Sequence, residues 1–537
     1  MMSGFEIDRR SPSKQLAQDL RERLGDEAVL DGEQDRLLYS TDLLEAGATS
    51  ALVVRPGSIE DLEIAVSLIG KSGFGIAPRG GGLTYVRGYT PSREGIVTID
   101  MGRMNRILEV NERDMYITVE AGTTWRQIYE ELKPRGLRLP FFGTFSGRGA
   151  TVGGGLSNGA LFFGTARYGT AAEIALGLEV VLMNGKRLQT GQRIVARAET
   201  PFFRTFGPDT TGLFTHDAGA FGIKAHATLR MIRTPAHTDY LSFGFKDRAQ
   251  ALAALSEIGR SELAEEAFVM DPAKTKAALS APTSILKDSR TLAKVIGQER
   301  SLIGGLRSGV KLALAGRDFI EEGCYSLHMA CSGRSQAAVA ADMAAARAYL
   351  TKMGGSELPN SIPKVSRAEI FASLEAVVGA KGERWAAINA KTSHSDAPML
   401  VESAEALIET YRADVDRLEI EVSRLLTVIS NHAFSYEIVF AWKDKWLPMH
   451  HATYGAKLAS TFDEPQDNPE ARALVMKVRQ ELINLFAQQG AASSQIGRSY
   501  PYVEILRDQP RNLIEGIKRI VDADGLMNPG ALGLTRL

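Results

Sequence analysis

The spacing of apolar and polar residues changes repeatedly along the chain, and each change predicts an element. Ala51-Leu52-Val53-Val54 is an apolar run of strand length that stops at Pro56. Ser58, with Asp61 three residues later, then predicts a capped helix through LEIAVSLIGKSG, whose apolar residues at 62, 64, 66, 68 and 69 make a broad buried face. GFGIAP reads as a strand that runs into RGGGLT at 79–84, and GIVTIDM, RILEVN and MYITVEAG as three more. Thr124 and Gln127 predict a capping box for WRQIYEELKPRG, with Gly136 as its stop. LEVVLMNGKRLQTG carries the Asn184-Gly185 step of a tight hairpin. The mixture is α+β, not a simple run of βαβ units.

From about Thr234 the pattern shifts. Alanine-rich helices such as AQALAALSEIG and SQAAVAADMAAARAYLTKMGG alternate with strands such as YLSFGF and YSLHMAC. That order predicts a sheet covered by helices on one face. The amphipathic, basic stretch SILKDSRTLAKVIGQERSLIGGLRSGVKLALAG reads as a solvated helical face of this region in preference to a membrane-surface helix. Near the end, DADGLMNPGALGL describes a tight loop. The expected organisation is an N-terminal helical segment (1–50), a glycine-rich domain (51–233), a second domain (234–500) and a returning segment (501–537).

Composition narrows the function more than the fold. A chain of 537 residues is too long for one ordinary core. Its 63 lysines and arginines balance 64 acidic residues, which argues against nucleic acid or an anionic membrane as partner. The two cysteines, Cys324 and Cys331, stand with six residues between them along a strand-like run, so free thiols are expected and no metal site. MMSGFEIDRRSPSKQ has no apolar core of signal-peptide length, and no run is long enough to span a bilayer. A cytoplasmic protein without integral membrane contact is expected.

The glycines carry the chemistry. Glycine loses more backbone freedom on folding than any other residue, so three in a row after a strand need a reason. RGGGLT can form an anion-binding nest, with Arg79 at its edge and the Thr84 hydroxyl as an added donor. Neither a P-loop nor a dinucleotide fingerprint between strand and helix is present. A second stretch, PFFGTFSGRGATVGGGLSNGALFFGTARYG (140–169), adds Gly153, Gly154 and Gly155 with Thr144, Thr151, Ser157 and Asn158. A third, HDAGAFGIKAHATLRM, puts Gly219 and Gly222 before a strand. Three such loops in one domain suggest an extended ligand with phosphates in its middle.

In order and spacing these three segments resemble the FAD-binding domain of the vanillyl-alcohol oxidase (p-cresol methylhydroxylase) flavoprotein superfamily. The resemblance runs from about Ala51 to Met231 and resumes in GLMNPG. It implies a p-cresol methylhydroxylase-type FAD-binding domain of two α/β subdomains, joined to an α+β cap domain. It implicates Gly80, Gly81, Gly82, Leu83 and Thr84 at the FAD pyrophosphate, and Gly143, Thr144, Thr151, Val152, Gly153, Gly154 and Asn158 along the flavin and pyrophosphate. Tyr168-Gly169, and Gly222 with Ile223 at the adenine end, match further positions near the cofactor. Asn528 would lie by the isoalloxazine ring. Many members tether the flavin through a histidine in the first loop. Here the loop continues Leu83-Thr84-Tyr85, so non-covalent FAD is expected.

For the chemistry, a flavin enzyme needs a hydride donor and usually a base. His450 and His451, in WKDKWLPMHHATYGAK, are candidates for a base in an apolar pocket, as against an ordinary surface pair. In SSQIGRSYPYVEI, hydroxy-acid-oxidising members would show a Glu-His pair; Gln495-Ile496-Gly497-Arg498 replaces it, which argues against a metal-assisted reaction. Arg498 and Tyr500 resemble the pair with which phenol-oxidising members steady a phenolate. Two hydrogen-bond donors to an oxyanion make physical sense there. The usual aspartate after the Tyr-Gly step is missing, Thr170 and Ala171 standing there, so Glu437 and His394 become further candidate bases. The leading expectation is an FAD-dependent oxidase or dehydrogenase acting on a hydroxyl or benzylic carbon of an aromatic alcohol or phenol. A metal-free 2-hydroxy-acid dehydrogenase and a non-catalytic flavin subunit that passes electrons remain open. So do the acceptor, oxygen or an electron-transfer partner, and a homodimeric state.

Overall fold

A computed structural model describes residues 12–280, 321, 323–371 and 373–534. The basic stretch expected to form a helical face, residues 284–316, lies wholly outside these. Among the described residues no helix is long and apolar enough to cross a membrane.

The glycine-rich region builds two sheets side by side. In the first, Val53–Val54 and Gly75–Arg79 flank Ile96–Asp100 in parallel, and Val29–Leu30 pairs at the edge. The crossover is the helix Ile59–Lys71; its N-cap Ser58 accepts from the Asp61 amide, as the spacing predicts. The apolar face of this helix packs with the strands and with Leu16, Ala17 and Leu20 of the helix Pro12–Leu24. The second sheet is antiparallel and runs Ile107–Asn111, Tyr116–Glu120, Ile223–Arg230, Ala175–Val181, Arg187–Gln189. Against it lies the helix Trp125–Leu132, which opens on the Thr124/Gln127 capping box; Gly136, at φ 67°, ends the short 3-10 turn that follows. The Asn184-Gly185 turn joins the last two strands, with Gly185 at φ 76°.

The second region is one antiparallel seven-stranded sheet in the order Ser356–Leu358, His237–Phe245, Tyr325–Gly333, Glu266–Met270, Glu421–Ile429, Ala433–Trp442, Arg384–Thr392. Successive side chains alternate between its faces. One face buries Phe243, Leu327, Met329, Ile388, Leu426, Ile438 and Phe440 against the helices Arg248–Arg260, Gln336–Lys352, Ala397–Glu409 and Pro469–Gln488. This is the sheet with helices on one face that the alanine-rich alternation predicts. The free cysteines Cys324 and Cys331 are both buried. The uncovered face of the sheet turns towards the glycine loops. After the helix Asp508–Val521 the chain returns to the first sheet, where Met527 bridges Ile76.

Candidate functional site

Between the uncovered sheet face and the three glycine loops lies a cavity of about 1770 Å³. Small-molecule sites typically run to roughly 300–1,000 Å³, so there is room for a dinucleotide and a second molecule. The strand Gly75–Arg79 delivers the first loop to it, and Gly80, Gly81, Gly82, Leu83 and Thr84 all line it. So do Thr144, Thr151, Gly153, Gly154 and Asn158 of the second loop, and Gly222 with Ile223 of the third.

The glycines answer to two demands. A Cβ on Gly80 would lie 2.3 Å from Thr151 Oγ1, and one on Gly81 2.0 Å from the Gly149 carbonyl. These two residues are glycine because the second loop crosses directly over them. Close approach of a phosphate, expected from the sequence, is therefore not their only reason. Gly154 is different: a Cβ there would meet nothing closer than Thr151 Oγ1 at 3.3 Å, so the protein itself leaves that surface open. Beside it, the buried Asn158 Oδ1 has no hydrogen-bond partner among the described residues. Buried polar atoms are rarely left unpaired. An open glycine surface with an unpaired polar group fits a flat, polar-edged cofactor such as FAD.

Several residues expected at the cofactor serve the scaffold instead. The Arg79 guanidinium pairs with Asp100 at 3.2 Å, lies 4.4 Å from the Tyr39 ring and donates to Met449 Sδ. It is thus held by the protein, although it lines the cavity. Gly143 is pressed on Trp125, where a Cβ would be 2.3 Å from the indole, and Val152 is fully buried in the core. The Tyr168 ring sits 5.8 Å from the guanidinium carbons of both Arg138 and Arg230, and Gly169 packs on Glu173; neither lines the cavity. Asn528, at φ 42°, donates from Nδ2 to the carbonyls of Gly88 and Ala218 and accepts from Arg498. It clasps the first and third loops together.

The expected catalytic groups are corrected more strongly. Arg498 donates to the carbonyls of Arg87, Thr90 and Pro529 and to Asn528 Oδ1. Burial, reinforced by nearby Arg87, lowers its pKa to about 10. Its forked donors are all consumed by the clasp, and it does not line the cavity. Tyr500 is buried, with its phenol oxygen accepting from the Asn389 amide at 2.8 Å, behind the cavity wall. The pair cannot hold a phenolate from these positions. His450 is fully buried, its Nδ1 accepts from the Leu447 amide at 3.1 Å, and burial lowers its pKa to about 3. His451 is half exposed beside Glu464, and His394 pairs with Ser256 at 3.1 Å. None of the three lines the cavity.

Glu437 does line it. Strand register explains how. Met270, Leu425, Glu437 and Asn389 stand opposite one another across four neighbouring strands, and Phe268, Thr427, Ser435 and Lys391 form the next row. Residues two apart on a strand share a face, so both rows look towards the loops. Among the described residues Glu437 makes no hydrogen bond or ion pair. Its charge acts on the Tyr85 phenol, whose pKa is raised by burial first and Glu437 next. Tyr85, at the end of the first glycine loop, packs on Trp385 at 5.4 Å between ring centres.

Lys391 was not foreseen from the sequence. Its ammonium donates to Asn389 Oδ1 at 2.8 Å and Ser435 Oγ at 2.9 Å, and burial lowers its pKa to about 8 against the opposing pull of Glu437. Tyr85, Asn389, Thr427 and Gln495 complete the polar part of the wall. The one signal in the sequence was alternation: in RWAAINAKT the residues at 385, 389 and 391 share a face, and asparagine and lysine on an otherwise apolar strand require polar company.

Residues 50–191 match the FAD binding domain family. By sequence the chain is 31% identical over 241 residues to D-lactate dehydrogenase [cytochrome], mitochondrial, of Arabidopsis thaliana, covering 43% of this chain and 41% of that protein. It is 30% identical over 236 residues to 1'-carboxy-chondrochloren decarboxylase of Chondromyces crocatus, covering 43% of each. The matches thus span under half the length of these curated relatives. In fold, 98% of the chain superposes on 98% of p-cresol methylhydroxylase, with a TM-score of 0.74 at 18% identity.

Proposed function

We propose that the chain is a flavoprotein of the vanillyl-alcohol oxidase and p-cresol methylhydroxylase superfamily, an FAD-dependent oxidoreductase acting on a hydroxyl or benzylic carbon of an aromatic compound; the match of residues 50–191 to the FAD binding domain family and the shared fold support this. The observation that carries the proposal is Glu437: an unpartnered carboxylate on the same cavity wall as the aromatic side chains Phe268 and Trp385. Bound FAD supplies the acceptor for a hydride, two electrons and one proton, at its N5. The protein supplies the rest. Phe162, Phe163, Phe268 and Trp385 give a ring apolar surfaces to lie on and exclude water. The Glu437 carboxylate takes the proton of the reacting hydroxyl as the carbon–oxygen double bond forms. Reoxidation falls to oxygen or an electron-transfer partner. The first loop continues Leu83-Thr84-Tyr85, with no histidine to tether the flavin, so the reading takes FAD as held without a covalent link.

Hydroxy acids are the second reading, favoured by the similarity to D-lactate dehydrogenase and by the lysine in the wall. Anaerobic bleaching of the flavin by two panels separates them. The proposal expects phenolic and benzylic alcohols to bleach it and small D- and L-2-hydroxy acids to leave it oxidised. Bleaching by the hydroxy acids alone would transfer the assignment to them.

A further inference from the structure

We propose that this site takes substrates bearing an anionic oxygen, and that Lys391 and Thr427 hold it, with Ser435 fixing the lysine in place. The proposal rests on the reading of the cavity as a substrate site and adds the charge of the molecule that enters.

An ammonium has three N–H donors. Lys391 spends two, on Asn389 Oδ1 and Ser435 Oγ, and among the described residues it forms no ion pair. Ser435 accepts from Lys391 and holds the ammonium in place, without lining the cavity itself. Directly opposite Ser435 stands Thr427, whose buried Oγ1 has no hydrogen-bond partner among the described residues. Two unspent donors, the third Lys391 N–H and the Thr427 hydroxyl, therefore line the cavity in one cross-strand row on either side of Ser435, and neither has an acceptor among the described residues. Buried donors and a buried cation are unfavourable unless something accepts from them. A carboxylate or phenolate oxygen satisfies both.

The surroundings hold this set in place and are not themselves the missing partner. Asn389 Oδ1 also accepts from Ser493, the Asn389 amide donates to Tyr500, and the Lys391 backbone exchanges both hydrogen bonds with Ala492. Tyr500, expected to touch the substrate, is instead a positioning residue behind the lysine. Phe268 follows Thr427 in the same row and gives an attached ring its apolar neighbour. Glu437 stands two residues from Ser435 on its strand, roughly 6.5 Å along it. The anion and the reacting carbon thus have separate partners.

The test is calorimetric titration of the oxidised holoenzyme with benzoate, 4-nitrophenolate and neutral benzamide. In the wild type at least one of the anions should bind ten or more times tighter than benzamide. Lys391→Gln should weaken that anion by about 10- to 100-fold, the range of one charge-assisted hydrogen bond, and leave benzamide within about threefold. Thr427→Val, which keeps the shape and every charge, should cost the anion severalfold; it decides the matter if Lys391→Gln does not retain FAD. Selection of benzoate alone identifies a carboxylate, of 4-nitrophenolate alone a phenolate, and both are consistent with the proposal. Equal binding of all three ligands, or a preference that survives both substitutions, overturns it. So does a shifted flavin spectrum in Lys391→Gln with unchanged ligand ratios, since the lysine would then serve the cofactor. None of these readings needs turnover. A Glu437→Gln enzyme with undiminished catalysis would remove the proposed base and leave the anion site standing.

Discussion

Arg498 separates the structural account from the expectation that its sequence raised. Its guanidinium serves four acceptors: the carbonyls of Arg87, Thr90 and Pro529, and Asn528 Oδ1, which itself holds a side chain bonded to Gly88 and Ala218. Arg498→Met removes the donors and leaves these acceptors behind. Hydrogen bonds from a charged group are each worth about 1.5–3 kcal/mol, but the enzyme also recovers the cost of burying the cation. Burial already lowers the arginine's pKa to about 10, so that recovery is real. A net loss of about 2–4 kcal/mol for the clasp is a reasonable balance. If half of it appears in cofactor binding, FAD should bind about 5- to 30-fold more weakly, at about 1.4 kcal/mol per decade. Arg498→Lys should fall between, because an ammonium cannot reproduce the fork. Equilibrium ultrafiltration measures the FAD affinity, and turnover at saturating FAD measures the chemistry. The expected pattern is weak FAD with turnover within about threefold of wild type. Unchanged FAD affinity together with a hundredfold loss of saturated turnover would refute the clasp and return the guanidinium to the substrate.

Other substitutions test the cradle and the lysine. Gly154→Ala adds a methyl group that meets only Thr151 Oγ1 at 3.3 Å, so the apoprotein should keep its melting temperature and circular dichroism while FAD affinity drops at least tenfold. Gly81→Ala forces a Cβ to 2.0 Å from the Gly149 carbonyl and should instead yield poorly folded protein, read by the same two measurements. Lys391 loses its charge as pH rises through about 8. Affinity for an anionic ligand should therefore be level below about pH 8 and decline above it, and titrations of the holoenzyme with benzoate from pH 6 to 10 would show the break; Lys391→Gln should flatten the profile.

The local structure was legible because its causes are local. Ser58, the Thr124/Gln127 box, Gly136 and the Asn184-Gly185 turn each act within a few residues, and all stand where the sequence puts them. The glycine loops were legible as a cradle, but not which glycine answers to what. Gly80 and Gly81 depend on a loop some seventy positions away, whereas Gly154 depends on open space. The substrate wall was harder still. Lys391 and Glu437 lie on different strands, and only the register between Arg384–Thr392 and Ala433–Trp442 puts them on one face. Arg498 misled for a similar reason. Gly497 before it turns at φ 55° beneath the Val86 carbonyl, where a Cβ would come within 2.2 Å, and Arg498 goes to the clasp. Nothing in SSQIGRSY distinguishes that turn from one facing the cavity.

The central claim is that a substrate in this cavity loses its proton to Glu437 as its hydride leaves. Anaerobic stopped-flow reduction of the bound flavin tests it, using an aromatic alcohol that bleaches the wild type and comparing Glu437→Gln. Glutamine keeps the size and removes the basic oxygen. The account predicts a variant that retains FAD and reduces it about 10²- to 10⁴-fold more slowly, the usual range for a lost general base. Reduction at the wild-type rate would contradict it.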